Sequence, residues 1–233
     1  MKKNLKKLCL GLLTVVLTTS YVSAQLTFGT RAGFNYTNMS YEFDGKKIPK
    51  EYRNKFKSGF QIGVVADYKL SEELSIQPGI LFAQQGYKSN PNVSTTKSIL
   101  NLNYLQVPIN AQLKFPLGGI DLLIQTGPYF GFGINGKTKY WDENGKRLSD
   151  EDYKELFGES PKISFGSNRE KDAFKGFDFG MGFGVGLQFS NIQAGLGYNI
   201  GFINLYNRNE THEVRGVVKN NGLALTVTYL FGN

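Results

Sequence analysis

Residues 177–189 read FDFGMGFGVGLQF, and this stretch decides the fold class because two kinds of side chain alternate along it without exception. Every odd position carries a large apolar side chain, and every even position carries glycine, aspartate or glutamine. Residues 192–202 repeat the pattern, and Ser190 and Asn191 lie between the two stretches. Strict alternation indicates a β-strand whose two faces meet different environments. Together the two stretches predict a β-hairpin.

The same alternation, less regular, recurs in six further segments. These segments are residues 26–37, 56–70, 74–87, 99–114, 120–134 and 222–231. Each of the eight predicted strands has about ten residues or more, which exceeds a common soluble strand and suits a tilted strand that crosses a bilayer. The large aromatic face suits lipid, and the face of glycine, asparagine, glutamine and aspartate suits a crowded polar lumen.

The lengths of the connections strictly alternate between short and long. The short connections are residues 71–73, 116–119 and 190–191, and the long ones are residues 38–55, 88–98, 135–175 and 203–221. This alternation is typical of a closed antiparallel up-and-down transmembrane β-barrel with short periplasmic turns and long extracellular loops. The sequence therefore predicts an all-β fold of eight strands. Ten strands stay possible, because residues 38–55 or 203–221 could hold another hairpin.

The N-terminus has the organisation of a secretory signal peptide. Four lysines precede the apolar run Leu8–Leu17, and small residues surround Ser23 before Gln25. We predict cleavage after Ala24, with residues 1–24 as the signal peptide and residues 25–233 as the barrel domain. Cys9 lies in the signal, so disulfide and thiol chemistry are excluded for the mature chain.

Composition excludes several other classes of protein. The chain has 27 basic and 19 acidic side chains, and four of the lysines lie in the signal, which leaves the mature chain at about +4. No basic stripe is interleaved with aromatic residues, so we expect no nucleic-acid partner. The mature part has no apolar run long enough for a membrane-spanning helix, and no linker divides it into domains.

Polar residues on the predicted lumen face carry both signs of charge. They are Arg31, Gln61, Asp67, Lys69, Gln77, Gln85, Tyr104, Gln106, Asn110, Gln112, Gln125 and Asp178. An unpaired charge in a narrow lumen would be costly, so we expect Arg31 to pair with Asp67. Eight strands enclose an interior that side chains nearly fill, although a small cavity could remain beneath the glycines of the sixth and seventh strands.

Two further groups of residues predict local features of the strands. Pro78, Pro108 and Pro128 each remove a backbone donor within a predicted strand, so we expect β-bulges there. Aromatic residues near strand ends are candidates for the girdles at the two membrane interfaces. They are Phe28, Tyr36, Phe56, Tyr68, Tyr129, Phe189, Tyr206, Tyr229 and Phe231.

Few residues are candidates for a catalytic or metal-binding role. His212 is the one histidine, and it stands beside Glu213 in the last long loop, where a proton-transfer role is conceivable and loop solvation is the simpler explanation. The acidic stretch from Asp142 has its glycine at the fourth position, so it does not match an EF-hand loop. We interpret Asn144-Gly145 as a tight turn and Ser149 as the N-cap of a short helix. We therefore predict no catalytic residue, metal site or cofactor, and the ligand-binding residues are unassigned.

Residues 104–109 read Tyr-Leu-Gln-Val-Pro-Ile, and residues 126–129 read Thr-Gly-Pro-Tyr. With the signal peptide and the glycine-aromatic hairpin, these motifs resemble the PorT-like family of outer-membrane β-barrel proteins. The resemblance implies location in the bacterial outer membrane, and one branch of that family is associated with protein secretion. The terminal Tyr229-Leu230-Phe231 resembles the last strand that barrel-assembly machinery recognises. The implied partners are outer-membrane lipid, that machinery and possible envelope or secretion proteins.

The leading functional interpretation is a non-enzymatic outer-membrane barrel. Its extracellular loops, especially residues 135–175, would mediate surface interactions, or its periplasmic turns would dock a secretion or envelope partner. A narrow channel or small-ligand-binding barrel is the first alternative. An envelope enzyme that uses His212 is the second.

Overall fold

A computed structural model describes residues 25–43, 46–47, 49–90, 96–168, 172–206 and 216–232. The predicted signal peptide and His212 lie outside the described residues. In chain order, the described strands are β1 (Leu26–Phe43), β2 (Lys46–Lys47), β3 (Lys55–Lys69), β4 (Leu74–Lys88), β5 (Ser98–Pro116), β6 (Asp121–Tyr140), β7 (Lys162–Ile163), β8 (Phe177–Phe189), β9 (Ile192–Gly201) and β10 (Gly216–Leu230). A short 3-10 helix spans Lys50–Tyr52, and helix α1 spans Asp150–Phe157.

Eight long strands among the described residues form a closed antiparallel barrel. Consecutive long strands are hydrogen-bonded neighbours, and β10 pairs with β1 from Gly29 opposite Leu230 to Phe43 opposite Gly216. The predicted all-β, up-and-down barrel of eight strands is confirmed. The two-residue strands β2 and β7 pair with β1 and β6 beyond the ring.

The connections at the two ends of the barrel differ in length, as predicted. Residues 70–73, 117–120 and 190–191 join strands at one end, which we call the turn end. The long connections lie at the opposite loop end. Here β1, β6 and β10 extend several residues past the predicted strand bounds, and β10 begins at Gly216 instead of residue 222. The apolar alternation marks only the lipid-facing part of each strand, so it could not predict these extensions.

The two faces of each strand separate as the alternation predicts. Phe183 and Phe189 of β8 point outward and are exposed, while Asp178 and Gln188 are buried in the lumen. The proposed girdle residues are exposed or half-buried with one exception. Tyr129 was wrongly assigned, because its side chain is buried inside the barrel. It lies four residues after Gln125 on the same strand, so alternation places both side chains on the inward face.

The prolines do not produce the predicted bulges. Pro78 lies opposite Ile109 and Pro108 lies opposite Tyr129, and the register is the same on both sides of each proline. The ladder is interrupted for two residues beside Pro78 and Pro108, because a proline lacks the N–H that the ladder needs. The register shifts lie elsewhere, between Phe56 and Gln61 of β3 and between Asn103 and Tyr104 of β5.

The described residues of the longest connection, 141–168 and 172–176, include turns and a helix at the loop end. The Asn144-Gly145 turn is confirmed, since Gly145 has a φ of 77° and its N–H donates to the Asp142 carbonyl at 3.1 Å. The N-cap prediction is also confirmed: Ser149 Oγ accepts a hydrogen bond from the Asp152 N–H, and the Asp152 side chain accepts one from the Ser149 N–H. None of the described helices is long and apolar enough to span a membrane.

Candidate functional site

The lumen is the place where the predicted polar residues meet. Of that set, nine side chains are buried, namely Arg31, Gln61, Asp67, Gln77, Gln85, Tyr104, Gln106, Gln112 and Asp178. Lys69, Asn110 and Gln125 are half-buried. Sequence reasoning missed several buried polar residues on the same faces: Asn35, Lys57, Ser75, Lys114, Gln188, Gln193, Asn220 and Thr228. These residues alternate with outward-facing neighbours along their strands, and this alternation could have identified them as lumen residues.

An ion pair lies at the turn end of the lumen, but its cation is not the predicted one. Lys114 Nζ lies 3.2 Å from Asp67 Oδ2, and both side chains are buried. Ser75 Oγ donates to the other carboxylate oxygen at 2.9 Å. The expected Arg31–Asp67 pair is therefore wrong. Sequence reasoning did not place Lys114 in the lumen, because it lies near the end of β5, ten residues beyond Tyr104.

Arg31 is held by neutral partners instead. Its Nε donates to Thr228 Oγ1 at 2.8 Å, and a second guanidinium nitrogen donates to Gln77 Oε1. Gln77 connects this group to the ion pair, because its Nε2 donates to Asp67 Oδ1 at 3.3 Å. Arg31 thus reaches Asp67 through Gln77, and the two charges stay in one network without direct contact.

Further glutamines complete a polar layer across the lumen. Gln112 Nε2 donates to Gln77 Oε1 and to Gln125 Oε1, each at 3.1 Å. Gln193 Nε2 donates to Gln188 Oε1 at 3.0 Å and lies 3.5 Å from Gln112 Oε1. We call this group of polar side chains the turn-end network. It comprises Arg31, Asp67, Ser75, Gln77, Gln112, Lys114, Gln125, Gln188, Gln193 and Thr228. Its members come from β1, β3, β4, β5, β6, β8, β9 and β10, so the network fills the cross-section of the barrel.

A small cavity lies above this network, as the glycine-rich lumen face predicted. Its volume is about 50 Å³, and Gly182 of β8 and Gly197 of β9 line one side opposite Gln61 and Gln106. A second cavity of about 10 Å³ adjoins it, since Gln61, Gln106 and Tyr129 line both. These volumes hold a few water molecules and are far below the size of a typical ligand pocket.

A buried carboxylate lies between the cavities and the loop end. Tyr129 Oη donates to Asp178 Oδ2 at 3.2 Å, and Asn220 Nδ2 donates to the same oxygen at 3.0 Å. Asp178 Oδ1 and Asn220 Oδ1 accept no hydrogen bond from the described residues. Two free acceptors beside a small polar cavity can bind a donor such as water.

The loop end of the lumen is closed by an apolar cluster, which we call the plug. Its buried members are Met39, Leu100, Leu102, Tyr104, Leu205 and Val218, and Phe165 and Phe174 pack against them from the long connection. The Phe165 and Tyr104 rings lie 5.4 Å apart. Phe165 also covers Gly133, where a Cβ atom would lie 2.4 Å from the Phe165 ring. The lumen is thus closed by apolar packing at one end and by polar contacts at the other.

A folded extension rises beyond the plug. It consists of the outer ends of β5 and β6, strand β7 and helix α1. Lys137 Nζ lies 2.7 Å from the Asp150 carboxylate, and the Phe157 ring packs 5.0 Å from Tyr140 and 4.6 Å from Tyr153. Partial burial raises the pKa of Tyr153, and hydrogen bonds with Ser149 lower the pKa of Asp152. No group of three potential metal ligands occurs in the part of the chain that the structure describes.

Comparison with known proteins agrees with this architecture. The family model described as an outer membrane protein β-barrel domain matches residues 21–207. No curated protein matches the chain.

Solved structures with a similar arrangement share little sequence with this chain. Ail, the attachment invasion locus protein of Yersinia pestis, is 16% identical, with 89% of this chain and 99% of that chain covered and a TM-score of 0.42. Neisserial surface protein A is 12% identical, with 87% and 96% covered and a TM-score of 0.39. The outer membrane protease OmpT of Escherichia coli is 10% identical, with 92% and 99% covered and a TM-score of 0.40.

Proposed function

Since the chain belongs to the outer membrane protein β-barrel domain family, and therefore lies in the bacterial outer membrane, we propose that it is a non-enzymatic surface-interaction barrel. In this proposal the lumen is closed, and the extension around residues 135–175 binds partners outside the cell. The turn end faces the periplasm, and the loop end faces the exterior.

One observation carries the proposal: helix α1 presents apolar side chains to the exterior. Leu156 is 65% exposed and Phe157 is 42% exposed, and no residue of the helix is buried. The same helix carries acidic residues, namely Asp150, Glu151 and Asp152 in its first turn and Glu155 next to Leu156 in sequence. Exposed apolar residues within a polar rim are a common feature of protein-binding surfaces.

The periplasmic side offers much less surface for a partner. Its turns comprise only residues 70–73, 117–120 and 190–191. By contrast, the extension has its own ion pair between Lys137 and Asp150 and a cluster of aromatic rings. A surface that is ordered before binding loses less conformational entropy when the partner binds. This difference favours interaction outside the cell over docking by the periplasmic turns.

The closed lumen supports a role without transport. The plug and the turn-end network act in series, and the cavity between them is about 50 Å³. The polar groups of the network are engaged with one another, as the contacts of Asp67 with Lys114 and Ser75 illustrate. A continuous path for a solute would require both closures to rearrange. These features favour the interaction role over a narrow channel.

Membership of the PorT-like branch is a finer part of the same proposal. In the Tyr-Leu-Gln-Val-Pro-Ile motif, Tyr104 packs under Phe165, and Gln106 and Pro108 line the larger cavity. Leu105 and Ile109 point outward and are exposed. The motif therefore supplies packing on both sides of the wall, which agrees with a role in building the barrel. In this proposal, secretion would be carried out by a partner protein that docks to the barrel.

Site-specific photo-crosslinking on intact cells tests the proposal. A photoreactive residue at Leu156 should form adducts with an external partner, while the same residue at Glu72 in a periplasmic turn serves as the matched control. We expect specific adducts at residue 156 and none at residue 72. Adducts confined to residue 72 would instead support docking in the periplasm and overturn the surface-interaction proposal.

A further inference from the structure

A groove of about 540 Å³ lies on the outer wall of the barrel near its extracellular end. Its lining includes Tyr198 of β9, Asn221 of β10, Asn38 of β1 and Phe56 of β3. Residues 52–54, at the end of the 3-10 helix and just after it, form one side of the groove. Asn38 Nδ2 donates to the Asn54 carbonyl at 2.8 Å, so one hydrogen bond ties this segment to the barrel wall. The groove is therefore formed by the fold of the first extracellular connection.

The strand register sets how far each side chain of the groove lies from the membrane centre. Tyr36, Leu223 and Tyr198 lie side by side in one row across β1, β10 and β9, and Phe56 stacks on Tyr36 with ring centroids 5.0 Å apart. Asn38 and Asn221 form the next outward-facing row. Each such step of two residues rises about 7 Å along the strand.

Charged side chains lie higher on the same wall. Ser40 pairs with Lys219, and Glu42 pairs with Lys47 of β2. Arg53 and Lys47 are exposed at the groove, and Lys219 adjoins it. Among the described residues that line the groove, two cations, Lys47 and Arg53, accompany one carboxylate, that of Glu42. Along the outward-facing rows of the barrel wall, the groove thus changes from aromatic to amide to charged with increasing distance from the membrane centre.

This order matches the layers of an anionic glycolipid in the outer leaflet. Tyrosine rings favour the membrane interface, where their apolar bodies and polar tips are both satisfied. Below them, Phe34, Leu225 and Leu196 form an exposed apolar row that acyl chains would contact. Amides can bind sugar hydroxyls, the Glu42 carboxylate can accept from them, and Lys and Arg bind phosphate.

We propose that this groove binds the phosphorylated head group of an outer-leaflet glycolipid. The Asn38 and Asn221 amides meet the sugar, and Lys47 and Arg53 meet the phosphate, with Lys219 adding to the local positive field. The site is separate from helix α1 and from the lumen. It would fix the depth and rotation of the barrel relative to the lipid around it.

Native mass spectrometry of the refolded full barrel in mild detergent tests the site, with diphosphoryl lipid A as the probe. We expect the wild type to bind lipid A, and the double variant Lys47→Gln/Arg53→Gln to bind it about 30-fold more weakly, since each cation near a charged membrane surface contributes about fivefold to the affinity. Lys154→Gln/Lys162→Gln removes the same charge from exposed positions outside the groove and should bind as the wild type does.

A second variant tests whether the shape of the groove, and not only its charge, contributes to lipid A binding. Asn38→Leu removes the hydrogen bond to Asn54 without any change in net charge, and it should also weaken lipid A binding. Dephosphorylated lipid A should bind poorly to the wild type, and millimolar inorganic phosphate should not displace the lipid.

The proposal is overturned if the two double variants lose the same affinity, or if the dephosphorylated lipid binds equally well. Displacement by inorganic phosphate would instead indicate a free-anion site and would also overturn it.

Discussion

Lys114 and Asp67 form a buried ion pair across the turn end of the barrel, with 3.2 Å between Lys114 Nζ and Asp67 Oδ2. The two residues lie on β5 and β3, which are separated by β4, so the pair spans a strand. Ser75 and Gln77 of β4 donate to the same carboxylate from between them. Three neighbouring strands are thus joined inside the lumen as well as along their ladders.

Replacement of the cation should be costly because it leaves a buried carboxylate without its counter-charge. We expect Lys114→Met to lower the free energy of unfolding by about 3–5 kcal/mol. Urea titration in lipid vesicles, followed by heat-modifiable gel mobility, measures the loss. The double variant Asp67→Leu/Lys114→Met should recover most of it, since it removes both charges. A loss no larger than that of the exposed control Lys154→Met would contradict the structural role of the pair.

The general fold could be predicted from the sequence because alternation is a local property of each strand. Residues 177–189 show both faces without an exception, and the structure follows them residue by residue. The same rule, applied consistently, places Tyr129 and Lys114 inside the barrel. The wrong girdle assignment of Tyr129 came from its position near a predicted strand end, which carries less information than its place in the alternation.

Other features depend on contacts that alternation does not encode. Arg31 and Asp67 share a lumen, but their pairing depends on side-chain reach and on what lies between them, namely Gln77. Phe165 and Phe174 belong to a connection without periodicity, so no pattern indicated that they pack into the plug. The outer-wall groove depends on the path of residues 49–54 over β1, which is a tertiary feature.

Gly133 is expected to be essential for the seating of Phe165. A Cβ atom at this position would lie 2.4 Å from the Phe165 ring, so Gly133→Ala should displace the ring and destabilise the barrel by about 1–3 kcal/mol. Displacement should expose the adjoining segment, and trypsin should cleave after Lys162 several times faster. Gly197→Ala is the matched control, because its nearest neighbour is 3.4 Å away. Equal cleavage rates in the two variants would refute the role of Gly133.

Acid should destabilise helix α1, because it protonates the Asp152 carboxylate of the N-terminal cap. Hydrogen bonds with Ser149 lower the pKa of Asp152 below its ordinary value of 3.8. A depressed folded-state pKa means that the carboxylate stabilises the helix above the ordinary pKa and loses this effect as pH falls through the folded pKa. Hydrogen exchange of the α1 amides should therefore rise, relative to the intrinsic rate, as pH falls below about 4.

The variant Asp152→Asn provides the comparison for that measurement. Its side chain does not titrate, so the loss of α1 protection between about pH 5 and pH 2 should be smaller than in the wild type. Ser149→Ala removes the other half of the capping box and should reduce protection at every pH. A wild-type profile no steeper than that of Asp152→Asn would show that the Asp152 carboxylate does not stabilise the cap.

Two closures in series should keep the barrel from conducting ions. We expect no discrete current from the wild type in planar bilayers, because the plug fills the extracellular end and the turn-end network crosses the lumen. The variant Phe165→Ala/Phe174→Ala should thin the plug yet still conduct nothing, since Arg31, Gln77 and Gln112 remain in contact below it. Current should appear only when Arg31→Ala and Lys114→Ala are added to that variant. Stepwise conductance in the wild type, or in the plug variant alone, would establish a channel and contradict the closed-lumen proposal.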